Sequence, residues 1–416
     1  MECPQSPLPG DPRQPPRNMA LRPYLATTGR VHTVITTRRR DLGYATVRLP
    51  VLSVEESVQL LNSGERQLGP SAELLAERLG GLPLALELSK SYLNYRKDLS
   101  IADLIDEMRR EGEVEVLKEF ASEYRDQLPS QHELNVASTF QLSWSITPEP
   151  AKQILRVMGE LAPVIVPKKF LRIVLNFPME SSIRDELSKG VNELARLSLV
   201  ELSSGGDPLA HRLILAFARH RNAVDNASPF EGCREALPAQ MQRANDNPDA
   251  STNRELESLI PHAEFLASAD RLSPEESGRL LNFVGMHHQT MGRFTAALFA
   301  LRKALASAEA SFEPGHPSIA RSQSNLAMVL QDLGQLEEAR DLLRKALASA
   351  EASFEPGHPS IANRRSNLAI VLKDLGRLEE ARDLLRKAHS AMLEKFGPEH
   401  PHTKIVKNNL EGLPER

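Results

Sequence analysis

The chain has 416 residues, which is long enough for two or three domains. Hydrophobic residues make up 41% and charged residues 25%, as in ordinary soluble globular proteins, while the 5% of aromatic residues favours helices packed through leucine and alanine over a β-sandwich. The net charge of −4 gives no general attraction to nucleic acid or to an anionic membrane, so we expect neither as a partner.

The first 20 residues are rich in proline and polar residues and lack the apolar core of a secretory signal. The longest apolar stretch, Leu161 to Pro167, is too short to cross a bilayer. The two cysteines, Cys3 and Cys233, form no CxxC pair, so we expect neither a disulfide framework nor a metal site. These features predict a protein of the reducing cytoplasm.

A short strand and several helices are predicted in the next hundred residues. The β-branched run within Val31 to Arg38 predicts a buried strand with polar groups at its tip. Ser53, with Glu56 three residues later, forms the capping box of a helix. A second helix is predicted over Ala72 to Leu79, and a third begins at the segment Gly81 to Ala85.

Residues 135 to 222 fit a winged helix. The pattern predicts helices over Pro148 to Leu161, Pro167 to Leu175 and Ser182 to Leu197, a hairpin from Leu199 that turns at Gly205-Gly206, and a helix from Leu209. Winged helices often bind DNA. The third helix, however, carries as many acidic as basic residues, namely Arg184, Lys189 and Arg196 against Asp185, Glu186 and Glu193. We therefore favour a packing module over a DNA reader.

Residues 226 to 272 are predicted to form a helical adaptor, in which a polar stretch from Ala244 to Asn253 precedes an apolar helical pattern. A repeat then begins. The segment Arg302 to Ala320 recurs without change at Arg344 to Ala362, an offset of 42 residues. Within each unit, apolar residues at helical spacing predict two helices, and Gly334 supplies the turn between them.

Small residues recur where two helices must approach closely, and large leucines recur opposite them. The small positions are Gly285, Ala327 and Ala369; Ala297, Ala339 and Ala381; and Ala304, Ala346 and Ala388. Over residues 273 to 416 this pattern resembles the tetratricopeptide repeat, in the longer form found in kinesin light chains. Such a helical hairpin buries its apolar face only by stacking on its neighbours. The resemblance implies an α-solenoid that binds a protein or peptide along its first helices.

Asparagines and histidines recur at this period as well. The resemblance implies that Asn325, Asn367 and Asn409 bond to the backbone of a partner peptide in the concave groove; the alternative is that they link adjacent helices. His316, His358 and His400 each precede a proline. We predict that these histidines cap turns and do not form a metal array.

Three motifs in the N-terminal half resemble those of the NB-ARC domains, the STAND class of signalling ATPases. They are Thr36-Thr37-Arg38, the GLPLA segment Gly81 to Ala85, and Leu209 to Ile214 at the position of the MHD motif. The resemblance implies that Arg38 contacts the terminal phosphate, Pro83 packs on adenine and His211 touches the phosphates of ADP. These residues are the candidate nucleotide site.

The departures from that family argue against nucleotide chemistry. A phosphate-binding loop needs the pattern GxxxxGK[ST], and the chain contains no Gly-Lys dipeptide. No apolar strand ends in the acidic pair that would hold magnesium. We therefore expect no enzymatic activity and no bound cofactor, with ADP or ATP held weakly at most. We interpret the chain as a truncated or degenerate NB-ARC protein.

The predicted fold is mainly α, with an NB-ARC remnant (a lone strand, a helical subdomain and a winged helix) followed by a tetratricopeptide solenoid. The predicted domains are a tail (1–20), the strand remnant (21–50), the GLPLA helical subdomain (51–130), the winged helix (131–225), the adaptor (226–272) and the repeats (273–416). A non-enzymatic interaction protein is the favoured function. The alternatives are a nucleotide-switched signalling ATPase completed by upstream sequence, and a winged-helix transcription regulator.

Overall fold

The computed structural model describes residues 51–63, 66–69, 71–112, 115–123, 133–178, 185–246 and 250–414. The predicted tail, the predicted strand and Arg38 lie outside these ranges. Within them, the chain divides into two compact units: the first unit ends at His262 and the second unit begins at Ala263. No helix in the described ranges is long and apolar enough to span a membrane.

The described elements are nearly all helical, as the sequence predicts. In chain order they are α1 (Val54–Asn62), α2 (Ser71–Arg78), α3 (Pro83–Tyr95), α4 (Ile101–Gly112), α5 (Glu115–Glu123), α6 (Glu133–Ile146), α7 (Glu149–Gly159), α8 (Lys168–Val174), α9 (Glu186–Arg196), β1 (Glu201–Leu202), β2 (Pro208–Leu209), α10 (Arg212–Val224), α11 (Pro229–Asp246), α12 (Ala250–Ala267), α13 (Pro274–Thr290), α14 (Phe294–Ser311), α15 (Pro317–Asp332), α16 (Leu336–Ser353), α17 (Pro359–Asp374), α18 (Leu378–Phe396) and α19 (Pro401–Glu411).

The start of the first unit follows local sequence signals. The capping box of α1 is present, because the Ser53 hydroxyl accepts from the Glu56 N–H and the Glu56 carboxylate accepts from the Ser53 N–H. Between α2 and α3, Gly81 has a positive φ of 65° and its carbonyl accepts from the Leu52 N–H at 2.9 Å. A Cβ at Gly81 would collide with the Leu52 carbonyl, so the turn requires glycine there.

The predicted helix–hairpin–helix pattern occurs with two corrections. The last helix begins at Arg212 and not at Leu209, because Pro208 and Leu209 pair as strand β2 with Leu202 and Glu201 of β1. The third helix, predicted from Ser182, begins at Glu186, because Asp185 has an extended backbone and caps the helix by accepting from the Ser188 N–H.

The core of the first unit is built from aromatic and aliphatic side chains of several helices. Phe120, Phe140 and Phe217 come from α5, α6 and α10, and their rings pack edge-on or tilted with centroids 5.4 to 6.2 Å apart.

The predicted adaptor consists of the helices α11 and α12. Helix α11 ends at Asp246 and helix α12 begins at Ala250, both within the predicted polar stretch.

The second unit is a stack of helix pairs. The pairs are α13 with α14, α15 with α16, and α17 with α18, and α19 follows as a single helix. Its core contains the small residues identified in the sequence, with Ala327, Ala339, Ala369 and Ala381 all fully buried. The predicted turn residue Gly334 has a φ of 74°. A continuous core shared between neighbouring pairs therefore runs along the array.

Candidate functional site: the first-helix face and the nucleotide motifs

The first helices of the array present a common exposed surface, which we call the first-helix face. On α15 it comprises Arg321, Asn325, Met328 and Asp332, spaced so that they share one side of the helix. These four side chains are exposed or half-buried, whereas Leu326, Ala327 and Leu330 of the same helix lie in the core. The face continues on α13, α17 and α19.

Short polar side chains connect the first helices across this face. The Asn325 amide donates to Oδ1 of Asn282 on α13 at 3.3 Å, and the Asn409 amide donates to the Ser366 hydroxyl on α17 at 3.4 Å. The second bond lies two repeats after the first and joins the equivalent positions of the array. Asn325 and Asn409 thus link adjacent helices, which is one of the two roles that the sequence left open. Both residues, like Asn367, remain only half-buried.

A second set of links lies two helical turns further on. Gln289 Nε2 donates to Asp332 at 2.7 Å, and Gln331 Nε2 donates to Asp374 at 2.6 Å. Each bond joins residues 43 apart in the sequence, so equivalent bonds recur from one repeat to the next. Sequence analysis missed this ladder, although the recurrence of glutamine and aspartate at the repeat period was visible.

Arg364 on α17 is the most unusual group of the face. It is half-buried and donates from Nη1 to the Ser360 carbonyl of its own helix at 3.2 Å. Its Nε is buried without a hydrogen-bond partner among the described residues. Burial, together with the charge of Arg321 on the preceding first helix, lowers the pKa of Arg364. Sequence analysis did not select this residue.

The three histidines of the repeat cap helices, as predicted. In each, Nδ1 accepts a backbone N–H two residues later, from Ser318, Ser360 or His402, at 3.1 to 3.2 Å. Each imidazole also stacks on the phenylalanine four residues before it, with centroids 4.1 to 4.4 Å apart. Within the described ranges, no group of three or more His, Cys, Asp or Glu side chains is placed to hold a metal ion.

The nucleotide motifs have local structural roles in the described part of the chain. Pro83 is exposed at the first position of α3, where a proline costs no hydrogen bond. His211 is the N-cap of α10, and its Nδ1 accepts from the Leu213 N–H at 3.2 Å. The third candidate, Arg38, lies outside the described residues.

The C-terminal end of α3 contacts the segment that contains α7 to α10 and the β1–β2 hairpin. The hydroxyls of Ser91 and Ser198 lie 2.6 Å apart, and the guanidinium of Arg196 lies 4.5 Å from the ring centroid of Tyr95. These contacts involve the C-terminal half of α3, two to three turns from Pro83. They join the GLPLA helix to the last residue of α9 through a cation–π contact, and to the segment just after α9 through a polar contact.

Comparison with known proteins places the second unit in a repeat class. The family model for the tetratricopeptide repeat matches residues 276–352 and 318–394. This part of the chain is therefore a tetratricopeptide-repeat array. No match was found among curated proteins.

Several solved structures are similar to the chain. A protein from Podosopora anserina, described as having nearly identical TPR-like repeats of a kinesin light chain, is 22% identical over 42% of this chain and 84% of its own, with a TM-score of 0.38. BtubC from P. vanneervenii is 16% identical over 46% of this chain and 76% of its own, with a TM-score of 0.38.

A third similar structure covers more of the chain. It is a signal transduction ATPase with numerous domains (STAND) from Pyrococcus horikoshii, which carries a tetratricopeptide-repeat sensor. It is 12% identical over 89% of this chain and 65% of its own, with a TM-score of 0.28.

Proposed function

We propose that this chain is a non-enzymatic interaction protein whose repeat array holds a segment of a partner protein along the first-helix face. The observation that carries the proposal is the closeness of consecutive first helices. Short asparagine and serine side chains bond directly between them, as Asn325 does with Asn282 and Asn409 does with Ser366. Such bonds require helices whose backbones lie near each other.

Ion pairs between consecutive second helices are formed by long side chains. Arg302 of α14 reaches Glu338 of α16 at 3.0 Å, and Arg344 of α16 approaches Glu380 of α18 at 3.6 Å. A stack whose first helices lie closer together than its second helices curves toward the first helices. The first-helix face then lines the inner side, where one extended segment can touch several repeats at once.

The half-buried amides of the face suit a peptide backbone. A primary amide both donates and accepts, so it can pair with a backbone C=O and N–H of an extended guest. Asn325, Asn367 and Asn409 occur at equal intervals along the array. Regularly spaced amides can hold a guest in register without fixing its side chains. We propose that these three asparagines form the site that binds the partner's backbone.

We propose further that the first unit is a remnant of an NB-ARC protein that serves as a packing module. The order of α7, α8, α9, the β1–β2 hairpin and α10 is that of a winged helix. In α9, Lys189 and Arg196 are balanced by Glu186 and Glu193, so this helix has no net positive charge with which to attract DNA.

Selection from a random library of linear peptides, followed by calorimetry on the selected sequences, tests the peptide-binding proposal. The variant Asn325→Ala/Asn367→Ala/Asn409→Ala should bind the selected peptides about tenfold or more weakly, since each amide contributes one or two hydrogen bonds. The control Lys345→Ala/Lys387→Ala changes exposed residues of the second helices and should bind normally. Equal loss in both variants, or no loss in the asparagine variant while its helicity is retained, would refute the proposal.

A further inference from the structure

The second helix of the first repeat lacks the charges that the other second helices carry. Between Arg293 and Arg302, helix α14 has eight consecutive uncharged residues. The equivalent stretches of α16 and α18 are identical to each other, and each contains a Glu-Glu pair and an Arg-Asp pair. The charged residues of α16 are Glu337, Glu338, Arg340 and Asp341, and α14 has Thr295, Ala296, Leu298 and Phe299 in their places.

The stability of the helix itself does not account for this exchange. Glu337 and Glu338 lie in the first turn of α16, where negative charge interacts favourably with the helix dipole, whereas the first turn of α14 has no acidic residue. Nor does the exchange fill the core, because Phe299 is 48% exposed. Helix α14 thus lacks a favourable local interaction and exposes an aromatic ring to solvent.

The exposed ring belongs to a continuous row of side chains along α14, which we call the α14 stripe. Its members recur at alternating intervals of three and four residues, the spacing with which one helix packs along another: Ala296, Phe299, Lys303, Ala306 and Ala310. Ala296 is half-buried and the other four are exposed. The α14 stripe has one charge, whereas the equivalent positions carry three in α16 and four in α18, namely Glu338, Asp341 and Lys345, and Glu380, Asp383, Lys387 and Glu394.

We propose that the α14 stripe packs antiparallel on the α14 stripe of a second copy of this chain, so that the protein dimerises through α14. Phe299 of one chain then lies opposite the partner's Ala310. In the same register Lys303 lies opposite the partner's Ala306, because the two helices run in opposite directions. Each large side chain therefore meets a small one. The Lys303 ammonium, which lies 4.4 Å from the centroid of the Phe299 ring, stays at the solvated rim while its aliphatic stem packs.

The flank of the α14 stripe is self-complementary in charge. Arg302 and Glu309 are both exposed, and their spacing of seven residues places them on the same side of the helix. In the antiparallel register, Arg302 of each chain comes close to the partner's Glu309, which gives two ion pairs related by a twofold axis. Arg302 also donates to Glu338 of α16 at 3.0 Å, so its guanidinium is held beside the stripe. A second copy supplies both charges by symmetry, which favours it as the occupant.

Such a dimer would carry two first-helix faces, because the α14 stripe lies on a second helix. Two peptide sites on one particle raise the effective affinity for a partner that displays two segments. This consequence rests on the proposed function, whereas the dimer itself does not. The contact involves about one helix from each chain, and such a small interface should have a Kd in about the micromolar range.

Sedimentation equilibrium of the full chain, at about 1 to 100 µM, tests the contact. Phe299→Asp installs the residue present as Asp341 and Asp383, which the same scaffold accommodates. It should weaken dimerisation about tenfold or more, since each dimer loses two buried rings. The control Ile405→Asp makes the same charge change at an apolar residue of α19 that is 55% exposed, and it should dimerise normally. Far-UV circular dichroism checks that both variants remain helical.

Charge reversal tests the antiparallel register. Arg302→Glu alone or Glu309→Arg alone brings like charges together across the twofold axis and should weaken the dimer. The double variant Arg302→Glu/Glu309→Arg restores opposite charges and should recover most of the association. A role of Arg302 confined to its own chain, through Glu338, would not be rescued in this way.

Several outcomes would overturn the inference. A wild-type chain that stays monomeric over the whole range, or a Phe299→Asp variant that dimerises as tightly as the wild type, would refute the α14 contact. Equal weakening by Ile405→Asp would show a general effect of charge, and a double reversal without recovery would refute the register. A monomeric chain that binds phosphatidylglycerol vesicles in a manner abolished by Phe299→Asp would assign the stripe to a lipid surface instead. None of these results bears on peptide binding by the first-helix face, which is measured separately.

Discussion

Arg172 and Asp185 form a buried ion pair that fixes the start of α9 against α8. Both side chains are only 6% exposed, and Nη1 of Arg172 donates to Oδ1 of Asp185 at 2.9 Å. The same carboxylate caps α9 by accepting from the Ser188 N–H at 3.0 Å. Asp185 thus connects α8 to α9 and caps the N-terminus of α9.

Breaking this pair should destabilise the first unit strongly. In Asp185→Asn, the guanidinium of Arg172 stays buried without its counter-charge, which costs about 3 to 5 kcal/mol. The free energy of unfolding of this unit can be measured by urea titration. The signal is the fluorescence of Trp144, the single tryptophan of the chain. The control Lys169→Gln removes the half-exposed pair with Glu255 and should cost less than about 1 kcal/mol. Comparable losses in the two variants would contradict the assignment.

The pair also predicts acid sensitivity. The Arg172 guanidinium holds the pKa of Asp185 well below its usual range. A depressed carboxyl pKa contributes stability that is present above the unfolded pKa of about 4 and is lost as the pH falls toward the folded value. The free energy of unfolding of the wild type should therefore fall below about pH 4 more steeply than that of Asp185→Asn. Parallel pH curves would exclude this linkage.

His262 should make the first unit sensitive to mild acid. The imidazole is fully buried in α12, and its Nε2 lies 3.1 Å from the Ile165 carbonyl, which can only accept, so Nε2 carries the proton. Burial lowers the pKa of His262 to about 4. Because the unfolded chain binds a proton near pH 6.5 and the folded chain does not, stability is lost as the pH falls from about 6.5 toward 4, by up to about 1.4 kcal/mol per pH unit.

The substitution His262→Gln isolates that contribution. Glutamine has an amide N–H that can replace Nε2 as donor to the Ile165 carbonyl, but it does not titrate. Between pH 6.5 and pH 4, the unfolding free energy of the variant should change less than that of the wild type, again measured by Trp144 fluorescence. An unchanged slope would mean that His262 binds its proton equally well in the folded and unfolded states.

The stacked histidines predict a capping contribution in each repeat. His358→Ala removes the acceptor for the Ser360 N–H and the ring stacked on Phe354, and it should destabilise the array by about 1 to 2 kcal/mol. His358→Asn keeps a side-chain acceptor and should recover part of that loss. Unfolding of the array can be followed by far-UV circular dichroism. Equal stability of the alanine variant and the wild type would show that the cap contributes nothing.

Local and periodic signals made much of the fold predictable. The offset of 42 residues fixed the helix pairs, and their turns contain Gly292, Gly334 and Gly376 with φ of 72° to 77°. The capping box at Ser53 was likewise visible within four residues. These features depend on neighbours in sequence or on the repeat itself. The helix start predicted at Leu209 was wrong because the pairing of Pro208 with Leu202 is invisible to helical periodicity.

The candidate site was predictable only in part, for a related reason. The recurrence of Asn325, Asn367 and Asn409 was apparent, but the partner of Asn325 depends on how two helices pack. The half-burial of Arg364 also arises from packing, since neither it nor the buried, unpartnered Nε follows from spacing along one helix. Comparing the helix pairs α15–α16 and α17–α18 position by position would have selected Arg364 from sequence alone, but only together with Arg365, Lys373 and Arg377.

The nucleotide motifs lead to a last prediction, that ADP and ATP do not stabilise this chain. Phosphate binding needs a glycine-rich loop with its lysine, and the sequence has no Gly-Lys dipeptide. Nδ1 of His211 already accepts the Leu213 N–H. A ligand at 100 times its Kd would add about 2.7 kcal/mol and raise the midpoint of thermal unfolding. We expect the Trp144-monitored midpoint to be unchanged by ADP, in the wild type and in His211→Asn, which keeps a capping acceptor. A midpoint that rises with ADP in the wild type but not in His211→Asn would instead establish a working nucleotide site.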